Sequence, residues 1–252
     1  REKVEELAKE QKVGTEEAGR KLRYTFFDEV ANKENANKIA TAHNANDNAE
    51  TVLMNIMRGS GILGLKGIEI KRDDRYIRPL LKITRREIED YCTINNLNPR
   101  IDKTNLENIY TRNKIRNQLI PLLENEFNPN IINSLNRLSE LINEEDEYIN
   151  KIVEEKYKCV LIGEYLGNNN LEGKEQIVLD LKKFNKEEKL IKSRLIRYTI
   201  SKTIGSMQNI EKVHISDIIK LCENNIGNKF LIPNKKIKIF VGKGKIFFIK
   251  EV

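Results

Sequence analysis

The stretch IATAHNANDNAETVLMNIMRGSG, residues 39–61, decides the fold class. An apolar segment (39–42) runs into a polar turn (43–46) and then an acidic helix start (47–57), the pattern of a strand-to-helix junction in an α/β sheet. At such a junction free backbone N–H groups and the helix dipole meet at one edge of the sheet and attract anions. Asp47 and Glu50 stand three residues apart, which puts both carboxylates on one face of the first helical turn. His43 sits at the strand end beside them.

Upstream, residues 13–31 read as a helix with Thr15 as its N-cap and Leu22, Phe26 and Val30 along one apolar face. Arg20 and Arg23 lie one turn apart on it, next to Tyr24. Downstream, RGSG (58–61) brings Arg58 and Gly59 into a small-residue turn, which lets a ligand approach the backbone or simply ends the helix. Residues 77–81 are expected to be extended, because Pro79 disfavours helix in the residue before it. Thr84 and Glu87 have capping-box spacing, with Ile88 and Tyr91 as the apolar face of the helix that follows. The run RIDKTNLENIYTRNKIR (100–116) carries five basic and two acidic side chains. In it Asp102 and Asn105 occupy a turn-like stretch. Asn113 falls between Arg112 and Arg116, whose spacing of four aims two forked donors from one helix face at phosphate oxygens. That helix, 110–125, is expected to break or kink at Pro121.

An amphipathic helix over 130–158 reads as a bridge between two domains. Beyond a polar loop at 163–173 come a strand near 177–181, helices near 186–204 and 213–224, and a hairpin turning at 242–244. Glu187, Glu188, Arg194 and Arg197 read as solvated helix-face charges, and His214 as a helix-capping or surface residue. Residues 229–250 hold seven lysines and no acid, interleaved with Phe230, Phe240, Phe247 and Phe248. Two readings of this tail stand side by side: a half-buried sheet kept soluble by lysines, or an RNA contact.

Composition narrows the classes. At 252 residues and 39% hydrophobic content the chain can fill one large core or two modest ones. No apolar run approaches the roughly 20 residues needed to cross a bilayer, so a membrane role and a secretory leader are not expected, and the cytoplasm is. Cys92, Cys159 and Cys222 form no CxxC pair, which argues against a disulfide framework or a thiolate metal cluster. The formal charge of +7 fits a polyanionic partner.

Taken in order, EEAGRKLRY (16–24), HNANDNAET (43–51), RGSG, IRPLL (77–81), DKTN (102–105) and YTRNKIR (110–116) resemble the tRNA(Ile)-lysidine synthase family, a branch of the PP-loop ATP pyrophosphatases. The likeness is dense from about 14 to 148 and thinner beyond. It implies an α/β fold: an incomplete PP-loop (adenine nucleotide alpha hydrolase-like) Rossmann-type domain over 1–126, a helical linker over 127–158 and a small α+β substrate- or tRNA-binding domain over 159–252. Two departures stand out. The family's SGGxDS phosphate loop occurs nowhere in these residues, so a fragment starting after that loop, with little ATP-dependent activity of its own, is expected. Asn46 also replaces the first of two adjacent acids.

The reaction the resemblance implies joins L-lysine to C2 of the wobble cytidine in a CAU-anticodon tRNA(Ile). ATP and Mg2+ are the implied cofactors, tRNA(Ile) and lysine the partners, and a homodimer the candidate assembly. On this scheme C2 oxygen is adenylated first and the lysine amine, with an ordinary pKa of about 10.4, then displaces AMP. Catalytic roles fall to Asp47, Glu50 and Arg112. Asp47 would hold Mg2+ or the incoming ammonium, and Glu50 would pair with that ammonium and take its proton. ATP or substrate contacts fall to Arg20, Arg23, His43, Arg58, Gly59, Asp102, Asn105, Asn113 and Arg116. The alternative of another class is a noncatalytic RNA-binding fragment or degenerate paralogue. A PP-loop tRNA thiolase is the nearest enzyme rival, but the paired cysteines often used there are missing.

Overall fold

The computed structural model describes residues 4–100, 111–165, 175–224 and 229–251. It divides into two compact units, Arg1–Glu144 and Glu145–Val252.

In the first unit, helices α1 (Val4–Gln11) and α2 (Thr15–Lys33) precede the short strand β1 (Ile39–Ala40) and helix α3 (Ala45–Met57). Then come α4 (Ile62–Leu65), strands β2 (Lys71–Arg72) and β3 (Tyr76–Ile77), and α5 (Arg85–Ile94). The sheet order is β1-β3-β2, with β1 and β3 parallel and β2 antiparallel to β3. The unit is an α/β fold, as the 39–61 junction requires.

Several expected elements shift. Gly14, not Thr15, is the N-cap of α2, and no side chain caps it. Its buried positions are Ala18 and Ala31, whereas Phe26 is 59% and Val30 40% exposed, so small residues rather than the long apolar ones make the close contact. The Thr84–Glu87 capping box forms as expected. Tyr91, however, is 63% exposed, so α5 does not bury the face the spacing suggested. Extension ends at Arg78, and residues 79–82 turn.

Pro121 acts one turn before its own position. The helix there runs as α6 (Thr111–Lys114), a π-helical turn over Ile115–Leu119 and α7 (Ile120–Glu126), one continuous path with a widened middle. Proline cannot donate to the carbonyl four residues back and its ring crowds that carbonyl, and a π turn relieves both problems without breaking the helix. Ile115 and Ile120 pack with Ala45, Ala49 and Val52 of α3 and with Ile132 and Leu135 of α8 (Ile131–Val160).

A buried amide network fixes α3 from its other side. Asn48 accepts from Ile68 N (2.6 Å) and donates to Asn136 Oδ1 (2.8 Å) and Ser139 Oγ (3.3 Å), while Asn136 donates to Ala45 O (3.0 Å). Gly67 makes room for it. At φ +67 its missing Cβ would lie 2.1 Å from Asn48 Oδ1.

In the second unit, β4 (Leu161–Tyr165), β5 (Gln176–Asp180), β6 (Lys229–Asn234), β7 (Ile237–Gly242) and β8 (Lys245–Lys250) form an antiparallel sheet in the order β4-β5-β8-β7-β6. Alternation sends Ile177, Leu179, Ile237, Ile239, Val241, Ile246 and Phe248 into a core. Helices α9 (Leu181–Asn185), α10 (Lys189–Ile204) and α11 (Lys212–Asn224) pack on it together with Val153, Tyr157 and Val160. On the other face Phe240 and Phe247 pair with centroids 5.6 Å apart and Lys238 lies 4.2 Å above Phe230. The hairpin turn falls at Lys243–Gly244, and the expected loop at 163–173 is strand up to Tyr165, the rest lying outside the described residues. Arg194 is not a solvated charge: it is paired with Asp146, itself 4% exposed. His214 does cap, its Nδ1 accepting from Glu211 N at 3.1 Å.

Two outcomes follow. Gly67→Ala should cost about 2 kcal/mol or more, from left-handed backbone strain plus disrupted Asn48 hydrogen bonds, read as a lower urea midpoint at unchanged slope. Burial pushes the Cys222 thiol up to about 12, whereas Cys159 is exposed. In the native protein a disulfide reagent should therefore titrate Cys159 promptly and reach Cys222 only on unfolding.

Candidate functional site

The site grows from the amino end of α3. Its N-cap is Asn44, whose Oδ1 accepts from Asp47 N while Asp47 Oδ2 accepts from Asn44 N, both at 3.0 Å. The helix thus begins two residues earlier than the acidic start suggested, and Asp47 closes a capping box. Its other oxygen, Oδ1, faces Arg112 Nη2 (3.1 Å) and Arg116 Nη2 (2.9 Å). One turn on, Glu50 is only 1% exposed and sits under the same two guanidinium groups. Its Oε2 accepts from Arg112 Nε (2.8 Å) and Arg116 Nη2 (2.9 Å), and its Oε1 from Arg116 Nε (2.6 Å). Burial works against the charge on Arg116, but Glu50 and Asp47 outweigh it and hold its pKa above the ordinary arginine value.

This cluster forms one wall of a cleft of about 840 Å³. Arg20, Arg23, Tyr24 and Phe27 of α2 also line it, as do residues 40–43 and Asn113. Among the described residues no carboxylate pairs with Arg20 or Arg23. Arg20 stands 5.6 Å from the Tyr24 ring centroid, and Arg72 packs against both Tyr24 (4.4 Å) and Tyr76 (4.6 Å). This stack gives Arg20 a fixed backing. His43 lies in the segment between β1 and α3, with Nδ1 3.0 Å from Thr41 Oγ1. Burial lowers its pKa, Asp47 opposes that, and Arg78, Arg112 and Arg20 lower it further, leaving it below 6.5.

Of the expected site residues, Arg20, Arg23, His43, Asp47, Arg112, Asn113 and Arg116 line this cleft, and Glu50 is buried behind it. Arg58 and Gly59 do not join them. They follow the far end of the 13-residue helix α3, about 18 Å along its axis, where Gly59 takes φ +70. Asp102 and Asn105 lie outside the described residues. Asn46 turns towards another element, its Oδ1 accepting from Arg85 N at 2.9 Å, so a neutral amide ties the start of α3 to the start of α5. Sequence reasoning missed Thr41 and Arg78. Thr41 had a signal, since a hydroxyl two residues from His43 in an extended segment shares its side of the strand.

Comparison with known proteins fits this geometry. The PP-loop domain family matches residues 1–123. A tRNA(Ile)-lysidine synthase of Clostridioides difficile (strain 630) is 44% identical over 236 residues, which is 94% of this chain and 49% of that protein. The chain belongs to the tRNA(Ile)-lysidine synthase family. A protein of that name from Clostridium acetobutylicum is 44% identical over 92% of this chain and 48% of its own length. Another from Geobacter sulfurreducens is 34% identical over 91% of this chain. The chain spans about half the length of these family members. No helix among the described residues is long and apolar enough to cross a membrane.

Removing the charge on Glu50 tests the cluster. Glu50→Gln leaves two guanidinium groups facing one exposed-side acid, and should cost about 3 kcal/mol by equilibrium denaturation. A loss under about 0.5 kcal/mol would mean that the pairs contribute little.

Proposed function

We propose that this chain is part of a tRNA(Ile)-lysidine synthase that uses ATP to join L-lysine to C2 of the wobble cytidine of CAU-anticodon tRNA(Ile), through an adenylated tRNA intermediate. The single observation that carries the reading is one cleft of about 840 Å³ lined both by Asp47 with the Arg112 and Arg116 forks and by Arg20 and Arg23, which have no carboxylate partner among the described residues. Adenylation brings a triphosphate to an RNA base, so it needs cations on more than one side, and guanidinium forks match phosphate oxygens. Displacement of AMP then brings in a cationic amino acid. Asp47, 17% exposed on its side chain, is the acid that can meet its ammonium. The first unit carries the chemistry on this reading, and the second supplies further tRNA contact.

Mg2+ fits Asp47 poorly in this arrangement. Oδ1 already takes two guanidinium N–H groups and Oδ2 takes Asn44 N, and no group of three or more His, Cys, Asp or Glu side chains suited to a metal exists among the described residues. No step is therefore assigned to a metal held by Asp47.

The lysine-bearing strands β6 to β8 favour a second reading, an RNA-binding module without catalysis. The two separate in one assay on the full-length gene product: tRNA-dependent pyrophosphate release followed by transfer of radiolabelled lysine. Arg112→Ala should reduce both steps by at least about 100-fold. Binding of the tRNA with neither step in the wild type would favour the binding module.

A further inference from the structure

An amine attacking C2 must shed a proton as the new bond forms, so a group with a free lone pair must face the cleft. Glu50 does not: it is 1% exposed on its side chain and both its oxygens are occupied by arginine N–H groups. Asp47 does line the cleft, but with Oδ1 under two guanidinium N–H groups and Oδ2 on Asn44 N it is placed to hold the ammonium as a counter-charge. His43 differs. It lines the cleft, its Nδ1 is occupied by Thr41 Oγ1, and Nε2 has no partner among the described residues.

We propose that His43 is the proton acceptor for the attacking amine, held by Thr41 as the Nδ1–H tautomer with the Nε2 lone pair in the cleft, and that Glu50 is a positioning residue for Arg112 and Arg116. This rests on the ligase reading. The ammonium first loses one proton to solvent; in the step assigned, the lone pair of the resulting neutral amine forms the N–C2 bond and the C2–O bond breaks. Its electron pair leaves with the AMP oxygen, and the proton on nitrogen passes to Nε2. Three elements besides its own strand present charge to His43: α2 with Arg20, α3 with Asp47 and α6 with Arg112, while Arg78 approaches from the segment after β3. Their net effect, with burial, keeps the imidazole neutral at pH 7, the form that can accept a proton. A hydroxyl at position 41 can accept from Nδ1–H, and that arrangement leaves the Nε2 lone pair in the cleft. If Nδ1 were free, either nitrogen could carry the hydrogen and the acceptor in the cleft would be present only part of the time.

The test uses the full-length protein, with pyrophosphate release and lysine transfer measured separately in single turnovers. His43→Gln should slow transfer by at least about 100-fold and slow pyrophosphate release by a factor at least about ten times smaller. The wild-type transfer rate should fall below a midpoint under pH 6.5, and the variant should lack that limb. Thr41→Val should slow transfer about tenfold, Thr41→Ser should restore it, and 15N-histidine spectra should show His43 losing its single tautomer in the valine variant alone. Transfer at the wild-type rate in His43→Gln, or equal losses in both steps, would overturn the assignment with the ligase reading intact. Should His43→Gln not fold, an unchanged tautomer and rate in Thr41→Val would overturn it instead. A wild type that performs neither step removes the ligase reading and this inference together.

Discussion

The buried carboxylate of Glu50 is the constraint around which the first unit is arranged. An ionised group with so little solvent costs several kcal/mol to bury, and only close opposite charges and hydrogen bonds offset that. Arg112 and Arg116 supply both, and each also reaches Asp47, so four charges neutralise one another across two helices distant in sequence. Everything that holds α3 against the 111–126 helix therefore also sets the geometry of the cleft wall. The apolar contacts of Ile115 and Ile120 with Ala45, Ala49 and Val52 do this from within, and on its other side α3 is tied to α8 by hydrogen bonds from Asn48 to Asn136 and Ser139.

That arrangement divides the two acids by exposure rather than by chemistry. Asp47 keeps an edge in the cleft; Glu50 has none. A carboxylate buried under two guanidinium groups orients those cations and presents no oxygen to the cleft. The cations divide in the same way. Arg112 and Arg116 are committed to carboxylates, and Arg20 and Arg23, which line the same cleft, have no carboxylate partner among the described residues. An anion entering the cleft meets the uncommitted pair at full strength and must compete with Asp47 and Glu50 for the other.

Asn46 shows how one substitution can be absorbed. Its carbonyl oxygen accepts from the first backbone N–H of α5, a task that a neutral amide performs without adding charge next to the cluster. The π turn over Ile115–Leu119 is a similar accommodation. Pro121 removes a donor, the helix widens by one residue, and Arg112 precedes that widening while Arg116 lies within it, with Ile115 between them in the core.

Local chemistry was legible from the sequence. The strand-to-helix junction, the Thr84–Glu87 box, the long amphipathic helix and the final hairpin depend on hydrogen bonds and periodicities spanning a few residues. The order of motifs was enough to name the family. What residues 39–61 did not disclose is that Glu50 is sealed while Asp47 is not, or that Arg58 and Gly59 end up a helix length away. Those facts depend on partners 60 or more residues distant for the acids, and on the axial rise of α3 for the glycine turn. The failed apolar face of α2 has the same cause. Period 3.6 marks which residues share a side, but which side is buried is decided by what packs there, and Ala18 and Ala31 allowed an approach that Phe26 and Val30 did not. Sequence thus determined which groups were available, and tertiary structure decided which of them faced water, because burial is a property of neighbours and not of the residue itself.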